Sequence, residues 1–315
     1  KMRLHGFRSA GLMMKAFLWP TFVLPYRIGS RAGTNTNLHG TTQVFGRNHL
    51  RGLTWGSNRD GVRGTAKSAR RCLSGSASAV GYVDGSPNIA EGDGIGGQGL
   101  VVNPKGAHTA TIIWFHGLGD TAEGWLAGAL EMCAGQDFVK VILPTAPNRP
   151  ITLNGGFQMP GWADVYGLGA DSREDESGWL ESFERAEALI NNEIENGIPS
   201  HRIVIGGFSM GGAVALNIAL RSKRKLAGAI GMSTWLSLRD KFPEALGPDE
   251  CKCPILQFHG TNDEIVDYSL GLSTSATLID FKRDAEFIAI DGMGHSVSVG
   301  EIEQAKSFLA SVIGK

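Results

Sequence analysis

From about residue 100 onward, short apolar β-branched runs alternate with stretches of helical periodicity. Runs such as Ile203-Val204-Ile205 offer no polar face to water, so they suit strands of a parallel sheet buried on both sides. Strands alternating with helices point to a mostly parallel, doubly wound α/β sheet with helices on both faces. The expected strands are 100–103, 111–116, 139–143, 202–206, 226–231, 255–259 and 286–290. The expected helices are 122–133, 178–196, 210–221 and 300–313. About 215 residues is ample for one large core.

The first part of the chain is physically different. Residues 1–83 hold 13 of the 30 Lys/Arg but only one of the 31 acidic residues, Asp60, although the whole chain nets only −1. A basic, serine-containing, acid-poor stretch of this kind looks like an organelle transit peptide, and Arg71-Cys72-Leu73-Ser74 resembles a mitochondrial processing site. The apolar run 11–25 is interrupted by Lys15 and Pro20 and falls short of the ~20 residues that a spanning helix needs. The bases are scattered rather than clustered, so no nucleic-acid partner is expected. The glycine-rich stretch 92–99 is read as a flexible boundary, giving a low-order N-terminal extension over 1–97 and a catalytic domain over 98–315. Four cysteines are too few for a disulfide scaffold, and Cys251 and Cys253 lack the second pair that a structural zinc site needs. No metal or cofactor is expected.

Within the second part, 144–177 carries no long periodic element yet holds Phe157, Met159, Trp162 and Tyr166. Long loops inside compact domains are usually functional or disordered. So many large apolar groups argue for an ordered segment beside a substrate site.

The chemistry centres on Gly207-Phe208-Ser209-Met210-Gly211, which fits G-x-S-x-G. In a chain with 44 glycines the pattern alone is weak. Its context is stronger, because it follows the clearest strand and opens a helix, as a nucleophile elbow must. A serine hydroxyl needs a base to take its proton. In this architecture an acid and then a histidine follow the serine in the chain. His259 lies inside an expected strand, upstream of the best acid, whereas His295 follows the strand at 286–290, so His295 is the expected base. Asp263, in the turn after the strand at 255–259, is favoured over Glu264 and Asp267 as the acid. The backbone N–H groups of Met210 and of Leu118, in His116-Gly117-Leu118-Gly119-Asp120, are the expected oxyanion donors. His116, at a strand end, is read as holding that loop by hydrogen bonds. Leu153, Phe157, Trp162, Trp235, Ile265 and Val266 are candidates for an apolar acyl groove.

With these residues in place, 100–313 resembles the acyl-protein thioesterase / lysophospholipase-like carboxylesterase family of serine hydrolases. The resemblance rests on Phe115-His116-Gly117-Leu118-Gly119-Asp120-Thr121, Pro144-Thr145-Ala146-Pro147 and Met159-Pro160-Gly161-Trp162. It continues through Glu174-Asp175-Glu176-Ser177-Gly178, Asn196-Gly197-Ile198-Pro199-Ser200, the run Gly206 to Gly212, and the segments around Asp263 and His295. It implies an α/β-hydrolase fold and a triad of Ser209, Asp263 and His295. It also implies removal of long acyl chains, such as palmitoyl, from protein cysteine thioesters. A lysophospholipase or broad carboxylesterase on the same triad is the alternative. A non-catalytic binding protein on this fold is a remote third reading, because all three triad residues are present. The implied partners are S-acylated proteins or lysophospholipid and ester substrates, with peripheral membrane contact. The resemblance implies a cytoplasmic location, and the basic leader implies a mitochondrial or other organellar one. Met210 departs from the glutamine that many animal members carry after the nucleophile, which is expected to alter acyl or headgroup preference. Ala163 stands where an aromatic is common and is expected to widen the site.

Overall fold

A computed structural model describes residues 87–314. The basic stretch 1–83 and its expected processing site lie outside the described residues. Ten strands and five α-helices follow in the order β1 (Ile89–Glu91), β2 (Gly99–Val102), β3 (Ala110–Phe115), α1 (Ala122–Met132), β4 (Val139–Pro144), β5 (Asn148–Ile151), β6 (Phe157–Pro160), α2 (Glu176–Glu195), β7 (Ile203–Phe208), α3 (Met210–Arg221), β8 (Gly228–Met232), β9 (Ile255–Gly260), α4 (Tyr268–Asp280), β10 (Ala285–Ile290) and α5 (Val299–Ile313). Eight strands make one sheet in the order β1-β2-β4-β3-β7-β8-β9-β10, and β5 and β6 form a separate hairpin. From β4 to β10 every pairing is parallel; β1 and β2 join antiparallel at one edge.

The apolar runs behave as their composition demands. Along β3, Ile113 and Phe115 join a core shared with α2 and α3, while Ile112 and Trp114 point to the other face and pack with α1 and α5. Alternating side chains thus reach two buried layers, which is why these strands have no polar face. Helix α2 places Trp179, Phe183, Ala186 and Ile190 on one buried stripe, and Asp175 caps its start by accepting the Gly178 N–H at 3.1 Å. Helix α3 is buried from Met210 to Leu220 and apolar all round but for Asn217, whose amide donates to the Ala213 and Ser237 carbonyls. Helix α5 opens with a capping box of Ser298 and Glu301.

Three features depart from the sequence reading. The sheet takes in 89–91, which the expected boundary at 97/98 assigns to the extension. The glycine-rich stretch expected to be a flexible boundary is instead the turn between β1 and β2. There Asp93 is fully buried, accepts the Ile95 and Gly97 N–H groups and pairs with Arg185 of α2 at 2.7 Å. Helix α4 was not foreseen, because Tyr268–Asp280 is rich in Ser, Thr and Gly, which favour turns over helix interiors. Asp267 starts it by accepting the Ser269 N–H at 2.8 Å.

The connection after β3 leads to β4 on one side, and the one before β7 arrives from the other. The crevice at such a switch point, outside the carboxyl ends of the strands, is where α/β sheets gather functional side chains.

Candidate active site

Ser209 directly follows β7 and takes φ 54° and ψ −123°, a conformation that costs a side-chain-bearing residue about 1–3 kcal/mol. Its surroundings impose it. The Ser209 N–H donates to the Met232 carbonyl at 2.8 Å, and its own carbonyl accepts the Thr234 hydroxyl at 2.7 Å. The glycines around it are sterically required. A Cβ at Gly207 would lie 2.4 Å from the Gly211 carbonyl carbon, and one at Gly211 would lie 2.1 Å from the Phe115 carbonyl oxygen. The helix can therefore start hard against β3 only if these positions carry no side chain.

Two loops bring partners to the hydroxyl. His295 follows β10, and its Nε2 lies 2.9 Å from Ser209 Oγ. Asp263 follows β9, and its Oδ2 lies 2.8 Å from His295 Nδ1. The Phe208 ring packs on the His295 ring at 4.7 Å and limits its tilt. Asp263 Oδ1 accepts the Ile265 and Val266 N–H groups, each at 2.9 Å. Burial alone would push the Asp263 carboxyl upward. Hydrogen bonds from His259, His295 and the Ile265 N–H outweigh it and hold Asp263 far below the usual carboxylate range. Asp263 is thus an anion aimed at His295. Glu264 is exposed, and Asp267 is spent on the cap of α4.

The loop after β3 passes against the serine: a Cβ at Gly117 would lie 3.2 Å from the Phe208 ring and 3.4 Å from Ser209 Cβ. The Leu118 and Met210 N–H groups take no hydrogen-bond partner among the described residues. His116 fixes this loop. Its Nδ1 lies 2.6 Å from the Gly117 carbonyl and must be the donor there, while Nε2 accepts the Ala146 N–H at 3.0 Å. Burial lowers the His116 pKa to about 4, so the ring is neutral at physiological pH. Asp120, in the same loop, is pushed up to about 6, chiefly by burial.

The segment expected to be ordered beside the site is ordered, and side-chain bonds hold it. Asp164 accepts the Thr152 N–H at 2.7 Å and the Thr152 hydroxyl at 2.5 Å; Asp175 accepts the Asp164 N–H at 2.9 Å. Of the expected groove residues, Phe157 stands exposed on β6, and Leu153, Trp235 and Ile265 are half-buried. Two are corrected. Trp162 is wholly buried, donates its indole N–H to the His116 carbonyl at 2.8 Å and packs edge-on against Phe115 at 5.2 Å. Val266 is buried, its N–H and carbonyl both committed to the Asp263 turn. Both are buried behind the loop after β3 and the Asp263 turn and present no open surface for an acyl chain. Ala163 is fully buried in the core and so does not widen a groove. Met210 is likewise buried, and its sulfur accepts the Trp162 N–H at 3.3 Å. Its side chain therefore braces the loop from beneath and does not face a substrate. A cavity of about 240 Å³, lined by Val102, Cys133, Gln136 and Val139 among others, lies at the opposite end of the strands.

Two residues escaped the sequence reading, and a third, His259, is weighed there only as the base. Thr234 anchors the serine carbonyl, Arg185 ties the β1–β2 turn to the Thr145 carbonyl at 2.9 Å, and His259 faces Asp263. For His259 a signal was present, since a histidine inside an otherwise apolar strand needs a buried partner.

A parallel sheet of this order, with its strained serine at the turn after a central strand, is the α/β-hydrolase fold, and the chain is a serine hydrolase. The model of the phospholipase/carboxylesterase family matches residues 97–313. Acyl-protein thioesterase 1 of Cryptococcus neoformans var. neoformans serotype D is 40% identical over 230 residues, 68% of this chain and 97% of that protein. Acyl-protein thioesterase 1 of Schizosaccharomyces pombe is 40% identical over 219 residues, 68% of this chain and 96% of its own length. Among solved structures, Zea mays acyl-protein thioesterase 2 superposes with a TM-score of 0.62 at 31% identity, covering 69% of this chain and all of that one. Arabidopsis thaliana SOBER1 gives 0.62 at 30% identity, over 65% of this chain and 99% of that one. The chain belongs to the phospholipase/carboxylesterase family.

Proposed function

We propose that this chain removes long-chain acyl groups from cysteine thioesters of S-acylated proteins through an acyl-serine intermediate. The observation that carries the chemistry is the hydrogen-bonded line Ser209 Oγ, His295, Asp263, with links of 2.9 and 2.8 Å. The substrate class is supported by the 40% identity to acyl-protein thioesterases over nearly their whole length.

Ser209 Oγ attacks the thioester carbonyl while His295 Nε2 takes its proton. Asp263 keeps the Nδ1 proton in place and stabilises the imidazolium. The Leu118 and Met210 N–H groups receive the oxyanion; loss of one such donor costs about 3 kcal/mol. The imidazolium returns its proton to the leaving cysteine sulfur. Water then enters, gives a proton to His295 and attacks the acyl-serine. Collapse frees the fatty acid and restores the serine hydroxyl.

The test compares kcat/KM on an S-palmitoylated peptide and on a lysophospholipid of equal chain length, with Ser209→Ala as control. A thioester preference of about tenfold or more, ~1.4 kcal/mol in the transition state, supports protein deacylation. A preference for the oxygen ester moves the reading to lipid hydrolysis. An unchanged rate in Ser209→Ala removes the mechanism altogether.

A further inference from the structure

The acid of the site lies beside two histidines. His259, on β9, is fully buried. Its Nε2 lies 2.8 Å from the Val266 carbonyl and 3.4 Å from Asp263 Oδ2. A carbonyl and an ionised carboxylate only accept, so Nε2 carries the proton; it donates to the Val266 carbonyl, with Asp263 Oδ2 beside it at 3.4 Å. The opposite ring nitrogen, Nδ1, has no partner and faces α4 at Gly271, where a Cβ would lie 2.2 Å away. Gly271 thus leaves room for the ring, and Tyr268 meets it edge-on at 6.0 Å. The Asp263–Val266 turn is closed by the carboxylate from within and tied to β9 by the imidazole from below.

We infer that His259 is a positioning residue for the hydrolytic reaction: its Nε2–H, held on the Val266 carbonyl and set beside Asp263 Oδ2, fixes both the aim of the carboxylate and how much of its charge reaches the base. This rests on the proposed Ser209–His295–Asp263 mechanism. The positive end of the His259 N–H dipole beside Oδ2 attracts the carboxylate from the side away from His295, and the charge engaged there is not available to His295. Two other ionisable groups feel the cluster, Asp267 at the start of α4 and Glu301 in α5. Each is bonded elsewhere, to Ser269 and Ser298 respectively, and neither can donate to Oδ2.

Removal of the donor has a directional consequence. With one claimant fewer, Asp263 holds the His295 imidazolium more strongly, so the acid limb of kcat/KM moves to higher pH. Mere loosening of the turn would carry Asp263 away and move the limb down, or leave it in place. In the full chain, His259→Phe is expected to lower kcat about tenfold with KM little changed and to raise the limb midpoint by about half a pH unit. His259→Gln, whose amide nitrogen reaches the place of Nε2, restores the midpoint; His259→Asn, too short to reach, does not. If His259→Phe fails to fold, the Gln and Asn pair decides alone. A wild-type or lowered midpoint in His259→Phe, or in His259→Asn when that pair decides, overturns the inference, as does a Gln variant no better than Asn. Ser209→Ala run alongside separates the two claims: if it stays active, the underlying mechanism fails. If it is inactive while the midpoints do not move as stated, only the role of His259 fails.

Discussion

The elbow from β7 into α3 and the segment 144–177 both meet the loop after β3, yet they are held in opposite ways. The elbow has no freedom to lose. Its backbone hydrogen bonds run to β8, its helix is buried throughout, and its glycines touch neighbouring backbone. The other segment crosses the surface on polar pins: Thr152 to Asp164, Asp164 to Asp175, and the Arg149–Asp175 pair at 3.7 Å. Main-chain packing fixes Ser209, and exchangeable side-chain bonds fix the segment 144–177. The first arrangement resists substitution; the second can be retuned one contact at a time.

The largest effect should come from forcing a side chain into the elbow. Gly211→Ala places a methyl group on the Phe115 carbonyl, and a loss of about 4 kcal/mol is expected, read as a chemical-denaturation midpoint well below wild type. A near-wild-type midpoint would show that the elbow yields after all.

Asp120 lies between the two regions and tests the loop after β3. Its folded pKa of about 6 exceeds its ordinary value of 3.8, so the folded chain binds more protons than the unfolded one between these values. Stability from this group therefore falls as pH rises from about 4 to 6. Asp120→Asn should match wild type near pH 4 and exceed it by on the order of 2 kcal/mol at pH 7. Melting curves across that range check it. His116 works the other way: its lowered pKa favours the folded state as pH rises from about 4 to 6.5. Removal of Asp120 should then expose a steeper loss of stability in acid.

A smaller effect is expected on the pinned side. Asp164→Ala removes an acceptor shared by Thr152 and Val165, costing about 1–2 kcal/mol, and should raise KM more than it lowers kcat. An equal fall in kcat would mean that the pins reach the reacting atoms. Least of all should change in Met210→Gln, with a stability difference within about 0.5 kcal/mol and an unchanged kcat.

The elbow was also the more legible region. Three β-branched residues, a glycine-flanked serine and an apolar helix specify that unit locally, and helix α3 occupies the residues that periodicity assigns to it. His295 and Asp263 could be placed because each follows a strand. The groove could not, since the fate of Trp162 depends on the His116 carbonyl, far away in the chain, and no local pattern encodes that bond. Strand β1 is short and its residues are exposed, and the turn after it is ordered by a single buried carboxylate, Asp93. Helix α4 owes its existence to packing on β9 and β10 against its own propensity.

Position 210 shows how the two regions were joined without being merged. Its backbone N–H follows the serine without a hydrogen-bond partner among the described residues, its side chain serves the far loop, and the two share no atoms. The thioether accepts the Trp162 N–H; a glutamine carboxamide, of nearly equal reach, carries an oxygen that can accept it too. Either side chain at this position can therefore keep the strap, while the backbone N–H survives every substitution but proline.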